Sequence, residues 1–372
     1  MELSYWEYKT WLSQVDFTVI GSGLVGLNCA LRLKEKYPQS KILVLERGSL
    51  PQGASTKNAG FACFGSISEL VSDLNSHAEE EVVQLVQKRN SGIQLLCKLL
   101  GDKAIGFEQH GGHELFLKKN PELFENCLNR MDDLNELLRP IFGDAPFVKT
   151  KNVFGFGKIQ EQYITHQFEG QLDTGKMMQA LLQKCYDAHI PILNGIEVKE
   201  IQEAGDKAHV ATDGFEFNSK KVFVATNGFA SKLLKSEVVK PARAQVLVTQ
   251  PIKNLRIKGT FHFDEGYYYF RNINNRILFG GGRNLDIKSE ETMEFGETEI
   301  IQNSLEKLLS EVILPHQKIQ IDRRWSGIMG VGSQKSPIVK PISNSVYCGV
   351  RLGGMGVALG SLVGQELADL AQ

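Results

Sequence analysis

Six residues, Gly21-Ser22-Gly23-Leu24-Val25-Gly26, constrain this chain more than any other stretch. They read GxGxxG and stand between an apolar run, Phe17 to Ile20, and a segment from Leu24 to Lys36 with helical spacing of apolar residues. A second apolar run follows, Lys41 to Glu46 (KILVLE), as expected for a strand buried on both faces. Strand, glycine turn, helix and strand make one βαβ unit. In such a unit the first glycine permits the tight turn, the second lets backbone approach a pyrophosphate, and the third lets helix pack on sheet. The helix N-terminus offers N–H groups and a positive dipole end to phosphate. Glu46 closes the second strand about 20 residues beyond the last glycine, where a carboxylate takes ribose hydroxyls and disfavours a 2′-phosphate. A dinucleotide is expected here, and NADP is not.

The first unit alone does not choose between FAD and NAD. The rest of the 372 residues never settles into a second regular βα series, which disfavours an NAD-dependent dehydrogenase. Ala54 to Ser68 is small, polar and turn-like, and the pattern then predicts an amphipathic helix from about His77 to Leu100, with Glu79, Glu80 and Glu81 at its positive end. Strands are expected at His113–Leu117 and Tyr163–Glu169 around a helix at Pro121–Leu138, and another helix at Met177–Ala188. Pro191–Ile201 and Lys221–Ala225 read as strands of the first sheet. From Val238 to Gly281 the pattern becomes alternation (Gln245–Gln250, Tyr267–Arg271, Ile277–Gly281), the signature of antiparallel strands in a separate sheet. From Ser345 the chain reads as a strand, a glycine turn and a last helix, Val357 to Leu370.

Composition excludes several classes. Net charge is -1, from 42 basic and 43 acidic residues, and no basic run of the length nucleic-acid binding uses is present. No apolar stretch approaches the roughly 20 residues that span a bilayer. The N-terminus, with Glu2, Glu7 and Trp11, does not read as a signal peptide, so a cytoplasmic address is expected. The six cysteines are scattered singly and read as reduced buried thiols. The eight histidines show no metal spacing, and His110 and His113 flanking Gly-Gly read as a loop. No metal is expected.

Further segments carry a resemblance. Gly53-Ala54-Ser55-Thr56-Lys57-Asn58-Ala59-Gly60-Phe61 is similar to the GAS-x-x-N-x-G segment of the D-amino-acid oxidase superfamily, in the branch with glycine oxidase, monomeric sarcosine oxidase and gamma-glutamylputrescine oxidase. Glu197-Val198, Ala225-Thr226-Asn227-Gly228 and Pro241-Ala242-Arg243-Ala244-Gln245 resemble the branch's adenine-side strand, its ATGA turn and its P-x-R-G-Q strand. Tyr269-Phe270-Arg271 with Arg276 to Gly281, Arg324 to Met329, and Gly353-Gly354-Met355-Gly356-Val357 are similar to YYR…RLLFGG, RWAGI and SGHGV. The resemblance runs through nearly the whole chain, in order. It implies FAD held by residues 21–26, Glu46, Arg47, Ala54 to Phe61, Val198, Thr226, Asn227, Gly228, Gly327, Arg351 and Gly353 to Val357. Glycines opening the last helix would stabilise negative charge on reduced flavin.

The substrate end departs from the family. Ser326 stands where glycine oxidase has its carboxylate-binding arginine, and Ala358 where sarcosine oxidase has its substrate lysine. Gly327 stands where that enzyme joins flavin through cysteine, so non-covalent FAD is expected. Arg271, Arg324 and Arg351 are candidates for a replacement anion clamp, because a guanidinium grips carboxylate bidentately. For Arg351 a salt bridge between domains is the competing reading. Tyr267, Tyr268 and Tyr269 alternate on a strand, so at least one packs in a core. His262 is a pocket candidate or an ordinary strand histidine, and Lys57 serves oxygen activation or pairs with phosphate.

The expected fold class is α/β (α+β overall): a Rossmann-like FAD-binding domain from 14–90, 170–235 and 322–372. A mixed or antiparallel-sheet substrate domain is inserted as 91–169 and 236–321, and 1–13 is an N-terminal extension. The expected chemistry is oxidation of a C–N bond of an amine or amino acid, by hydride transfer to flavin N5 and imine hydrolysis, with oxygen or a membrane or quinone acceptor taking the electrons. FAD-dependent oxidation of a 2-hydroxy acid or alcohol, and a flavin carrier without turnover, stand as alternatives.

Overall fold

Continuous apolar runs and alternating ones go to two different sheets. A computed structural model describes residues 2–235, 239–315 and 317–371. Its strands are β1 (Val15–Ile20), β2 (Ile42–Glu46), β3 (Phe61–Ala62), β4 (Gly112–Leu115), β5 (Phe147–Lys151), β6 (Gln162–His166), β7 (Gly170–Gln171), β8 (Ile192–Asn194) and β9 (Val198–Ala204). There follow β10 (Lys207–Thr212), β11 (Glu216–Val224), β12 (Lys240–Thr249), β13 (Thr260–Phe263), β14 (Tyr268–Ile273), β15 (Arg276–Gly281), β16 (Ile321–Val331), β17 (Ile338–Pro341) and β18 (Val346–Val350). The helices are α1 (Tyr5–Glu7), α2 (Leu24–Lys36), α3 (Ile67–Leu74), α4 (Glu79–Leu100), α5 (Asp102–Ile105), α6 (Pro121–Phe142), α7 (Thr174–Asp187), α8 (Glu299–Leu308) and α9 (Gly356–Asp369).

The first sheet runs β17-β18-β11-β1-β2-β8, with β10 and β9 continuing from β11. From β18 to β8 its pairs are parallel, and every residue of β2 is buried. Parallel strands buried on both faces need continuous apolar sequence, which is what KILVLE supplies. Val19, Val44 and Phe223 meet α2, α7 and α9 on one face, while Leu43, Leu45 and Val224 join Leu12 and Phe217 on the other. Gly26 is forced by close approach: a Cβ there would lie 1.8 Å from the Gly21 carbonyl oxygen.

The second sheet runs β16-β12-β15-β14-β13-β4-β6-β5 and is antiparallel except between β13 and β4. Its strands alternate. Phe261, Phe263, Tyr268, Phe270, Phe279 and Leu247 point to one face, where Ile301 and Leu305 of α8 cover them. The opposite face turns toward the first sheet.

Two elements run across positions where domain borders are expected. Helix α4 is continuous through residue 90, and its Ile93 and Leu96 pack in clusters that include residues of α9. Strand β16 pairs with β12 along its length, so the last crossing back to the first sheet follows Val331 rather than preceding Asp322. The expected border at 235/236 and the start of the alternating stretch at Val238 touch residues 236–238, which lie outside the described ones.

Candidate functional site

The two sheets enclose a cavity of about 650 Å³, which runs from the Gly21–Gly26 turn past Ala54–Phe61 to the second sheet. At its nucleotide end Gly21, Gly23, Leu24, Val25, Glu46, Arg47 and Val198 line it. Glu46 is buried and already oriented: Ser22 donates to its Oε2 from N (3.1 Å) and Oγ (2.8 Å), and Gly48 N donates to Oε1 at 3.0 Å. A carboxylate has about four acceptor positions, so one is left for a ribose hydroxyl. Ser22 therefore acts behind Glu46 and is not on the cavity wall. Thr56, whose hydroxyl donates to Pro51 O, and Gly228, packed on Met329, likewise face away, as does Gly26.

The middle of the cavity is built from folded turns. Asn58 spends its amide on its own loop, donating to Ala54 O and Ser55 O and accepting from Gly60 N and Thr174 Oγ1. Ser55 Oγ accepts from Leu24 N at 2.9 Å, joining this loop to the start of α2. Asn227 Oδ1 accepts from both Arg351 N (3.0 Å) and Leu352 N (3.1 Å), which ties the end of β11 to the turn after β18. A Cβ added at Gly353, Gly354 or Gly356 would meet nothing within 4 Å, so this turn presents bare backbone to open space. Helix α9 starts at Gly356 with no side-chain cap, which leaves N–H donors for a ligand.

Register explains which side chains reach the far end. Glu114, His262, Tyr269, Gly280, Val246 and Trp325 are cross-strand partners in one row over six strands, so pleating sends them all to one face. His262, Tyr269 and Val246 form the cavity floor; Trp325 Nε1 donates to Lys57 O at 2.9 Å, and Glu114 accepts from Ser68. Gly280 makes room for the Tyr269 ring, since a Cβ there would lie 2.7 Å from the ring carbon bearing the hydroxyl. Burial pushes the Tyr269 hydroxyl up to about 12 and His262 down to about 4, so both are neutral at pH 7. His262 Nε2 is buried without a hydrogen-bond partner among the described residues.

The same parity keeps two candidates off the cavity wall, and the loop above it covers a third. Tyr268 points into the aromatic core and its hydroxyl meets Ser304 Oγ. Arg324 stands opposite Leu247, on the α8 side, and pairs with Glu306. Arg271 is on the correct face but lies beneath the loop: Nη1 donates to Gly60 O (3.0 Å) and Leu172 O (2.6 Å), and Nε to Asn272 O. Burial lowers it only to about 10, so it stays charged and clamps backbone rather than substrate. Arg351 does line the cavity, and its guanidinium donates to Ser336 O (2.7 Å) and Gly332 O (3.4 Å) rather than to a carboxylate. Lys57 lies over the Phe295 ring, 5.1 Å from its centroid.

Sequence reasoning missed Glu69, Arg89, Lys335 and Arg283 on the cavity wall. Arg283 ends the RILFGGGR hairpin and makes no side-chain hydrogen bond or ion pair with any described residue. That hairpin was in view; only its curl back over the cavity was not. Glu69 and Arg89 lie on helices whose orientation no local pattern reports. Among the described residues no cluster of side chains is arranged to hold a metal.

A strand–glycine turn–helix with a buried acidic strand end, facing an uncapped glycine turn across one cavity, defines a dinucleotide-binding flavoprotein. The family model described as "FAD dependent oxidoreductase" (DAO) matches residues 16–370, and the chain belongs to that family. It is therefore an FAD-dependent oxidoreductase. It is 23% identical, over 97% of this chain and 83% of the other, to the probable oxidoreductase OrdL of Haemophilus influenzae. Its fold is similar to glycine oxidase from Geobacillus kaustophilus (TM-score 0.78, 17% identity, 95% of this chain and 94% of that one). It is also similar to L-proline dehydrogenase from P. horikoshii (TM-score 0.75, 17% identity, 96% and 93%). The open glycines at 353, 354 and 356 and the spare acceptor position on Glu46 fit FAD; the start of α2 would hold its pyrophosphate, and the turn before α9 would offer N–H donors to its ring. No helix among the described residues is long and apolar enough to cross a membrane.

Proposed function

We propose that this chain oxidises a C–N bond of an amino acid or related amine. The carrying observation is the combination on the cavity wall: neutral Tyr269 and His262 on the floor, and Arg283 as a guanidinium with no hydrogen-bond or ion-pair partner among the described residues. The fold it shares with a glycine oxidase and an L-proline dehydrogenase supports the same reading. FAD, when bound, supplies the hydride acceptor. Arg283 would hold the substrate carboxylate bidentately, and the floor would orient the donor carbon. An ammonium substrate must lose a proton first; His262, lowered to about 4, is too weak a base to keep that proton and would at most pass it on to solvent. Gly327 offers no side chain for a covalent link, so FAD would be held non-covalently and should be released by acid precipitation.

His262 also favours a second reading. A neutral histidine and an arginine on the wall of one cavity would equally serve a 2-hydroxy acid. Anaerobic bleaching of the flavin absorbance with amines, N-methyl, D- and L-amino acids and 2-hydroxy acids tests both. Bleaching by amino acids or amines is the expected result; bleaching by hydroxy acids alone would replace the first reading with the second. In Arg283→Ala, kcat/KM for a carboxylate-bearing substrate should fall about 10- to 100-fold while amines without a carboxylate keep theirs. An equal change for both kinds would remove Arg283 from carboxylate binding.

A further inference from the structure

We propose that residues 332–336 are a gate over the flavin cavity, hinged on Arg351 and latched by Lys335 onto Glu69 and Asp73. The hinge is fixed. Arg351 is 5% exposed, its backbone N is held by Asn227, and its guanidinium holds the carbonyls of Gly332 and Ser336, the two ends of the loop. Between those ends the tip makes no backbone–backbone hydrogen bond with any described residue. Its attachment is one side chain: Lys335 Nζ lies 3.3 Å from Glu69 Oε1 and 2.5 Å from Asp73 Oδ1.

The post that receives the latch is rigid. Buried Glu169 accepts from Phe64 N (2.7 Å) and Gly65 N (3.2 Å), and buried Glu114 accepts from Ser68 N at 2.9 Å. Arg89, 3% exposed, donates to Phe64 O at 2.6 Å and to Glu69 Oε1 at 3.1 Å. Glu69, Gly332, Lys335 and Arg351 all line the cavity, yet the Lys335 side chain is 40% exposed, so the latch reaches from the cavity wall to solvent. Asp73 is 6% and Glu69 24% exposed, but the lysine that joins the tip to them is open to solvent, and a tip held by one such side chain opens readily. The arrangement therefore covers one side of the cavity at rest and can swing away from it while Arg351 stays in place.

The test uses the FAD-loaded protein and two readouts: amide hydrogen exchange of residues 332–336, and the bimolecular rate of flavin reduction by dithionite. Lys335→Ala should speed both by roughly 5- to 30-fold, the range that two partly exposed ion pairs support. Asp73→Asn should act in the same direction, the double variant should add nothing beyond Lys335→Ala, and Lys335→Arg should restore slow exchange. Dithionite is an anion, so losing a lysine would by itself slow its approach; a faster rate reports opening. Exchange in Lys335→Ala within twofold of the parent, faster exchange without faster reduction, or additive effects of the two substitutions would each overturn the gate.

Discussion

At the scale of single residues, the floor of the site depends on an absence and a proton. Gly280 leaves the space that the Tyr269 ring fills, and Val246 Cγ1 stands 2.7 Å from where a Cβ would be. Gly280→Ala should therefore destabilise the fold by about 1–3 kcal/mol, as overpacking does, and move Tyr269. A lower melting temperature together with a changed kcat, at unchanged FAD affinity, is the expected outcome; an unaltered kcat would show that Tyr269 does not position substrate. Glu169 illustrates the proton. Burial pushes its carboxyl up to about 8, so at neutral pH it accepts from Phe64 and Gly65 as a neutral acid. Glu169→Gln keeps an acceptor and should be nearly neutral, whereas Glu169→Ala leaves two buried N–H groups unmet and should lose about 2–4 kcal/mol in denaturant unfolding.

At the scale of elements, the site is assembled from strand ends and turns that belong to different parts of the chain. One side-chain oxygen, Asn227 Oδ1, joins the end of β11 to the flavin-side turn after β18. Asn227 itself has φ 42°, a left-handed conformation that asparagine tolerates better than alanine. Asn227→Ala should therefore weaken FAD binding by about 1–3 kcal/mol, while Asn227→Asp, which keeps the acceptor, should retain most of it. Equal Kd values for FAD in the parent and Asn227→Ala would show that the turn holds its shape without this link. The arginine that looked like a ligand clamp, Arg271, works at this scale too: it binds the Gly60 and Leu172 carbonyls and so holds the cofactor loop against the second sheet.

At the scale of the whole molecule, burial of titratable groups sets how stability depends on pH. His113 and His262 are pushed down to about 4 and His166 to about 3, so the unfolded chain binds more protons there and stability rises with pH up to about 6.5. Glu114 is raised to about 7 and Glu169 to about 8, so the folded chain binds more protons there and stability falls from about pH 4.5 up to those values. Between pH 4.5 and 6.5 three histidines outweigh two glutamates; above 6.5 only the glutamates act. The urea midpoint should therefore peak near pH 6.5 and decline toward pH 8, and a midpoint still rising between pH 7 and 8 would contradict the buried acids. Added FAD should raise the midpoint, since it binds only the folded state.

What the sequence by itself determined is the part written in contiguous residues. The βαβ unit, its glycines, Glu46 and the 54–61 loop are local, and backbone sterics and apolar runs specify them without reference to the rest of the chain. The alternation in 245–281 likewise specified a second sheet and placed one member of the Tyr267–Tyr269 run in a core. Only the tertiary structure decided which face of that sheet is the floor, because parity says that Tyr268 and Tyr269 differ but not which of them faces the cavity. It also decided the fate of the arginines. A guanidinium reads the same in sequence whether it meets a carboxylate, a carbonyl or open space, and here Arg324, Arg271 and Arg351 have protein partners while Arg283 has none among the described residues. Glu69, Arg89 and Lys335 are far apart in the chain, and their joint charge exists only because α3, α4 and the loop after β16 pack around one cavity.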